Sequence, residues 1–245
     1  MLHFRRFSDA SVSEKLLDTM FLITIGVGYL FALLNLYYTD QGRDGKPGLS
    51  IQDVTIAYYG SHNQTRLGAA INGPMEPNLP NEAAKTTILD WIHHGATKDE
   101  FEAKVHPILK ENCVMCHSAA SGISGIPHFD SYEHVVALTA TDTGATIPAL
   151  VRVSHIHLFG IAFILFLIGR IFLLCQMPVV IKRIIVASPF LFLILDISSW
   201  FITKIIPDFA YVVVAAGAFV GITFAIQILT SIYQMWLYKP NNDNE

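Results

Sequence analysis

The sequence predicts an all-α protein: four transmembrane helices, with a helical water-exposed domain inserted between the first and the second. Hydrophobic residues make up 52% of the 245 residues and charged residues only 15%, a balance typical of membrane proteins. One long apolar run lies near the N-terminus and three follow residue 150. Between them, residues 40–150 are rich in Gly, Pro, Asn and charged side chains. The net charge of −4 gives no indication of nucleic-acid binding.

The first apolar run covers residues 16–38, which is enough to cross a bilayer. A cleaved signal peptide is the rival interpretation. However, the run is long for such a peptide and ends without a small-x-small cleavage site. We therefore expect residues 1–39 to form a cytoplasmic N-terminus and an uncleaved transmembrane helix, with Tyr37 and Tyr38 at the outer interface.

Three further spans are predicted at residues 153–174, 184–203 and 209–238, within a C-terminal part that covers residues 151–245. Four spans place both termini on one side of the membrane. The basic residues on that side are Arg5, Arg6, Lys15, Arg170, Lys182, Arg183 and Lys239. The short segments on the other side hold only Arg152 and Lys204. The positive-inside rule then predicts a multi-pass protein of a bacterial inner membrane, with cytoplasmic termini and residues 40–150 in the periplasm.

Two helices are predicted inside the periplasmic domain. Residues 81–94 begin at the capping residue Asn81 and stop at Gly95. Residues 98–112 have apolar residues at helical spacing, and Pro107 is expected to kink or split this helix. Before both helices, residues 67–80 are predicted to form a loop punctuated by Gly and Pro that carries Met75.

The sequence Cys113-Val-Met-Cys116-His117 has the C-x-x-C-H spacing at which a c-type haem is attached. Two thiols bond to the porphyrin, and the adjacent histidine becomes an axial ligand of the iron. A redox dithiol does not need His117. A tetrahedral zinc site needs further ligands, and the one other cysteine, Cys175, lies in a hydrophobic segment. We therefore expect one covalently attached haem c, in an extracytoplasmic compartment.

The residues that lead into this motif resemble the class I c-type cytochromes, some of which read F-x-x-x-V-x-P-I-L-x-x-x-C-x-x-C-H. The matching residues are Phe101, Val105, Pro107, Ile108, Leu109, Cys113, Cys116 and His117. Such domains close with a methionine–proline loop and a helix that ends W-I-x-x-G-A. Met75, Pro77, Trp91, Ile92, Gly95 and Ala96 resemble that closing half.

The order of these two halves departs from the family, in which the haem motif comes first. The resemblance therefore implies a circularly permuted cytochrome domain over residues 60–138. Residues 95–99 are a short connector between the helix that is last in the family and the one that is first. Permutation is tolerated because the first and last helices of the family pack together.

The permuted order implies that Met75 is the second axial ligand of the iron. An ordinary downstream methionine is unavailable, because no methionine occurs between His117 and Met177. Thioether ligation raises the reduction potential relative to two histidines. His128 and His134, which follow the motif, are the alternatives, and an open iron that binds small gases is a third.

Ionisable residues in the predicted spans are functional candidates by default. His155 and His157 begin the second span, and Asp196 lies in the outer half of the third. One hypothesis is a quinone, proton or metal site formed by Asp196 with one of the two histidines. The other is that these groups hydrogen-bond at the headgroup region. Because the other spans contain no histidine, a b-type haem held by this chain alone is disfavoured.

Together these features predict a membrane-anchored monohaem cytochrome c that passes single electrons in a respiratory chain. It would be an electron-transfer protein rather than a stand-alone enzyme, and a subunit of a larger membrane oxidoreductase, a homo-oligomer or a donor to redox partner proteins. Two alternatives remain. One is a haem-based gas or redox sensor, and the other is a quinol-oxidising subunit with its site at the outer end of the bundle.

Overall fold

The computed structural model describes residues 5–123 and 126–238. Over these residues the chain is helical and contains no strand, so the all-α prediction is confirmed for them. The α-helices are α1 (Val12–Asp40), α2 (Ile51–Tyr58), α3 (Arg66–Ile71), α4 (Glu82–His93), α5 (Lys98–Glu100), α6 (His106–Asn112), α7 (Tyr132–Val136), α8 (Ile147–Phe172), α9 (Val179–Thr203) and α10 (Ala210–Trp236).

The chain divides into two compact units. The membrane unit comprises Met1–Leu36 and Ile147–Glu245, and the soluble unit comprises Tyr37–Thr146. Within the described residues three helices are long and apolar enough to span a membrane: α1, α8 and Pro207–Trp236, which includes α10. These helices confirm the transmembrane character of the chain. The 25-residue helix α9 is not among the three, so a fourth span stays a prediction. Lys239, counted above in the charge asymmetry, lies outside the described residues.

Helices α9 and α10 are joined by a polar contact inside the membrane unit. Pro189 lies within α9 and has no backbone N–H, so it leaves the carbonyl of Ile185 without its helical partner. The side-chain Nε2 of Gln227, from α10, donates to that carbonyl at 2.9 Å. Gln227 is 1% exposed. Side chains of neighbouring helices commonly satisfy backbone groups freed by a proline in this way.

Helix α1 packs against α10 around Tyr29. The Tyr29 ring lies 5.1 Å from the ring of Phe224, and its hydroxyl lies where a Cβ on Gly221 would be. At Gly217 an added Cβ would meet nothing within 4 Å. Of the two glycines spaced as G-x-x-x-G, Gly221 is therefore the one at which a neighbouring helix comes close.

The soluble unit is built on an apolar core. Its buried residues are Leu67, Ile71, Ile88, Trp91, Ala96, Phe101, Val105, Leu109, Phe129, Val135 and Leu138. Helix α4 begins as predicted, because the side chain of Asn81 accepts a hydrogen bond from the Ala84 amide at 2.9 Å. It ends at a left-handed glycine, Gly95, with φ of 89°, and the Ala96 amide donates back to the Trp91 carbonyl. This is a Schellman ending.

Residues 98–112 are helical, as predicted, and the helix is divided into separate elements beside Pro107. The chain passes from α5 into a five-residue π-helical segment, Phe101–Val105, and then into α6. The amide of His106 bonds to the carbonyl of Phe101, five residues back. The proline lies in the first turn of α6, a position that tolerates its missing N–H.

Backbone hydrogen bonds hold residues 62–66 of the soluble unit against residues 140–142. The His62 and Arg66 amides donate to the carbonyls of Asp142 and Ala140, and the Asp142 amide donates back to Gln64. The carboxylate of Asp142 accepts from the Ser61 amide at 2.9 Å. The backbone at Tyr58 approaches Gly144 so closely that a Cβ added to Gly144 would overlap the Tyr58 carbonyl. The φ of Gly144 is 70°.

The prediction of a loop across residues 67–80 is wrong in its first part. Helix α3 occupies Arg66–Ile71, and its first turn is capped by Thr65, whose side chain accepts from the Gly68 amide. A threonine cap followed by apolar residues is a helix-start signal. It favours a helix here more strongly than the glycine at position 68 disfavours one. The rest of the stretch, which contains Met75, is a short 3₁₀ turn and loop.

Candidate functional site

The C-x-x-C-H residues form one tight turn directly after α6. The amide of Cys113 donates to the carbonyl of Leu109 at 2.8 Å, which closes the helix. The amides of Cys116 and His117 then both donate to the carbonyl of Cys113, at 3.1 and 2.9 Å. The turn brings the two cysteines and the histidine onto one short piece of backbone, which is what bonding to a single ring requires.

The imidazole of His117 is fixed from two sides. Its Nδ1 lies 2.8 Å from the carbonyl oxygen of Pro127, and a carbonyl can only accept, so Nδ1 carries the proton. The ring also stacks on Phe129, with centroids 4.3 Å apart and planes 3° from parallel. Nε2 is then the unprotonated nitrogen, in the tautomer and orientation that metal-ligating histidines have.

The two thiols of the motif have different surroundings. Cys113 is half-buried and Cys116 exposed, and neither forms a disulfide. Cys113 packs against the apolar core. Burial, and secondarily the neighbouring Cys116, raise the pKa of the Cys113 thiol above its usual value. Both sulfurs are therefore free for thioether formation, and the residues present fit a covalently attached haem.

Met75 lies at the start of a 3₁₀ turn, Glu76–Asn78, with its side chain 40% exposed. Its amide donates to the Ala70 carbonyl at 2.9 Å, which anchors the turn to the end of α3. The side-chain amide nitrogen of Asn78 lies 3.9 Å from the Met75 sulfur, within range of a weak hydrogen bond. The sulfur is therefore oriented by a donor and is not buried in packing.

The two alternative histidine ligands lie close to each other. The ring of His134 is 6.1 Å from that of His128. Its Nδ1 lies 2.8 Å from Asp130, and this hydrogen bond lowers the pKa of the Asp130 carboxyl. His128 directly follows Pro127, whose carbonyl binds Nδ1 of His117.

The segment before the motif packs against the helix that precedes it. The rings of Trp91 and Phe101 lie 5.5 Å apart, and the Trp91 indole donates to the Thr97 carbonyl at 2.9 Å. The hydroxyl of Tyr132 donates to the Ala96 carbonyl at 2.9 Å. The connector at residues 95–99 thus joins two helices in direct contact.

The soluble unit also contains cavities of about 270 and 240 Å³. Both are lined in part by Arg43 and Ile56, and neither lining includes the C-x-x-C-H residues. Among the described residues no three His, Cys, Asp or Glu side chains group as a site for a free metal ion. A haem iron takes its ligands from the porphyrin and two axial groups, so that observation concerns free ions alone.

In the membrane unit, one of the two predicted histidines approaches the acidic residue of α9. The ring of His157 meets Trp200 edge-on, with centroids 5.6 Å apart. The Trp200 indole donates to Asp196 Oδ1 at 3.2 Å. His155 is exposed on α8. Trp200 therefore lies between the imidazole of α8 and the carboxylate of α9.

The composition and the long helices define a helical, multi-pass membrane protein. A family described as a transmembrane helical domain matches residues 143–242, the stretch that contains α8, α9 and α10. No curated protein and no solved structure matches the chain. The family similarity concerns the membrane helices and does not reach the C-x-x-C-H turn.

Sequence reasoning missed three residues that shape these sites: Pro127, Phe129 and Asn78. Pro127 and Phe129 act on His117 from ten and twelve positions away, across a loop with no regular spacing. Asn78 could have been suspected, because it follows Met75 by three residues and so returns to the same side of a helical turn.

Proposed function

We propose that this chain is a membrane-anchored monohaem c-type cytochrome that transfers single electrons. The observation that carries the proposal is the C-x-x-C-H turn, with two free thiols and an imidazole whose Nδ1 is bonded to a backbone carbonyl. A dithiol redox centre does not need the histidine, and a zinc site needs more ligands than the turn supplies. When bound, the haem supplies reversible one-electron chemistry.

The residues of the soluble unit have separate roles in this proposal. Cys113 and Cys116 hold the ring covalently, and His117 supplies Nε2 to the iron. Pro127 keeps the histidine in the required tautomer, and its hydrogen bond makes the imidazole a stronger donor. Met75 is proposed as the second axial ligand, since it offers an accessible sulfur, whereas the His134 imidazole is hydrogen-bonded to Asp130.

The permuted cytochrome fold belongs to the same proposal. It is supported by the contact between Trp91 and Phe101, since the helices that close and open the family's domain are adjacent here. It is also supported by the backbone hydrogen bonds between residues 61–66 and 140–142. They hold together the new ends that permutation creates, as an insertion between membrane helices requires.

The proposed setting is the bacterial inner membrane, with α9 as a fourth span, both termini in the cytoplasm and the haem domain in the periplasm. Charge asymmetry of the short loops supports this orientation. Four spans exceed what tethering needs, which supports a role within a respiratory oxidoreductase, a homo-oligomer or both, beside redox partner proteins. In this proposal the protein is an electron-transfer component and not a stand-alone enzyme.

The test is an optical and EPR spectrum of the purified protein beside its Met75→Ala variant. We expect a low-spin ferrous haem that does not bind carbon monoxide, and a high-spin, carbon monoxide-binding haem in the variant. An unchanged spectrum in the variant would remove Met75 as the ligand. A wild-type haem that binds carbon monoxide readily would favour the gas-sensor alternative.

Asn78→Ala is the milder variant. We expect it to lower the midpoint potential of the haem while Met75 remains the axial ligand.

A further inference from the structure

The membrane unit contains a group of polar side chains that the proposed haem function does not use. Asp196 and Trp200 of α9, His157 of α8 and Tyr29 of α1 lie toward the C-terminal ends of α9 and α1 and the N-terminal end of α8. Tyr29 precedes the end of α1 by 11 residues (40 − 29), and His157 follows the start of α8 by 10 (157 − 147). Asp196 precedes the end of α9 by 7 (203 − 196). At 1.5 Å per residue these groups lie roughly 10–16 Å from those helix ends.

Among the described residues, the carboxylate of Asp196 accepts a hydrogen bond from one donor, the indole of Trp200, at 3.2 Å. No ion pair within the described residues involves it. Tyr29 is close enough to interact with it electrostatically. A carboxyl group in an apolar helix without a basic partner is costly and marks a functional site by default. It is free to accept a further hydrogen bond.

The imidazole of His157 offers a second acceptor. Its Nδ1 lies 2.9 Å from the Val153 carbonyl, one turn back on α8, so Nδ1 carries the proton and Nε2 can accept. One turn away on the same face lies Ser154, 7% exposed, whose buried hydroxyl has no hydrogen-bond partner within the described residues. A buried unpartnered hydroxyl is uncommon and indicates a missing partner.

The chemistry of this group suits one class of ligand. Two acceptors, a carboxylate and an imidazole, match a molecule with two hydroxyl donors, and the Trp200 ring suits a flat aromatic ring. A ligand that reaches them through the apolar helices must itself be lipid-soluble. We propose that Asp196, His157 and Trp200 form a binding site for the head group of a membrane hydroquinone.

The proposal concerns binding of the hydroquinone alone, and it does not depend on the haem. The test is calorimetric titration of decylubiquinol, kept reduced, into the full-length protein in phosphatidylcholine nanodiscs, with empty nanodiscs as the partition control. We expect saturable binding at one site per chain, weakened about tenfold by Asp196→Asn, a loss of about 1.4 kcal/mol. The matched control is Asp18→Asn, the same change on α1 outside the group, with unchanged affinity.

His157→Phe is the second variant, and it should weaken binding while Asp196 and Trp200 remain in place. Thermal unfolding of each variant, followed by circular dichroism, separates loss of the site from loss of the fold. The proposal is overturned if the heat equals that of empty nanodiscs, or if Asp18→Asn weakens binding as much as Asp196→Asn. Haem content, measured on the same samples by absorbance, reports the proposed function separately.

Discussion

The two units of this protein place polar side chains in opposite ways. The soluble unit has an apolar core, and its buried polar side chains in the described residues are Asp53 and Asp142. The membrane unit has apolar residues on its outer surface, and polar ones inside: Ser154, Ser199, Thr203, Thr223, Gln227 and Ser231. In water, burial of apolar surface drives folding. Between apolar helices in lipid that force is absent, so close packing and hydrogen bonds between helices carry specificity.

The same difference decides where functional residues can be recognised. In the soluble unit, the short C-x-x-C-H motif can be recognised by its fixed spacing. In the membrane unit there is no such motif, and the informative residues are the few polar ones among apolar neighbours. Substitutions in each unit test whether its stability depends on the kind of contact described for it.

The largest effect is expected from Gly144→Ala in the soluble unit. The added Cβ would overlap the Tyr58 carbonyl at a left-handed backbone position, so we expect a loss of about 3 kcal/mol or more. Gly122→Ala is the matched control, because Gly122 also has a positive φ but open space around it, and its expected loss is about 1 kcal/mol. Denaturant unfolding followed by haem absorbance measures both. Equal losses would contradict the close approach at Gly144.

A smaller effect is expected from Gln227→Leu in the membrane unit. The variant leaves the Ile185 carbonyl unsatisfied, so we expect a loss of about 1–2 kcal/mol in detergent-solubilised protein, with the haem spectrum unchanged. In a Pro189→Ala background the helix supplies its own N–H to that carbonyl. The same substitution should then have little effect. Additive losses in the double variant would show that Gln227 does not act on the carbonyl freed by the proline.

The smallest difference concerns the rates at which the three thiols react in protein produced without haem. Cys116 is exposed, whereas burial raises the pKa of Cys113 and raises that of the buried Cys175 in the membrane unit to about 11. The thiolate is the reactive form, so a raised pKa leaves less of it at neutral pH. Alkylation by iodoacetamide, followed by mass spectrometry, should label Cys116 first, Cys113 next and Cys175 last. Cys175 reacting before Cys113 would contradict this order.

Much of this fold was predictable wherever a local signal acts over a few residues. The Asn81 cap and the Gly95 ending fixed α4, and long apolar runs fixed the membrane helices. The π-helical segment before Pro107 was not predictable, because a proline can be accommodated by a kink, a break or a shift of the hydrogen bonds.

The candidate haem site was predictable at Cys113, Cys116 and His117, because the chemistry fixes their spacing. Contacts between distant positions were not, such as the Pro127 carbonyl on His117 or Gln227 on Ile185. A side chain that bonds to a carbonyl 42 residues away leaves no periodic trace in the sequence. The proline and the glutamine are each visible, but only the fold pairs them.

The proposed cytochrome function requires a porphyrin bonded to Cys113 and Cys116. The decisive measurement is the intact mass of the protein purified from a host that attaches c-type haem. We expect the polypeptide mass plus one haem, retained under denaturing conditions and in Cys175→Ser, and lost when both Cys113 and Cys116 are replaced by serine. The bare polypeptide mass in the wild-type protein would contradict the account.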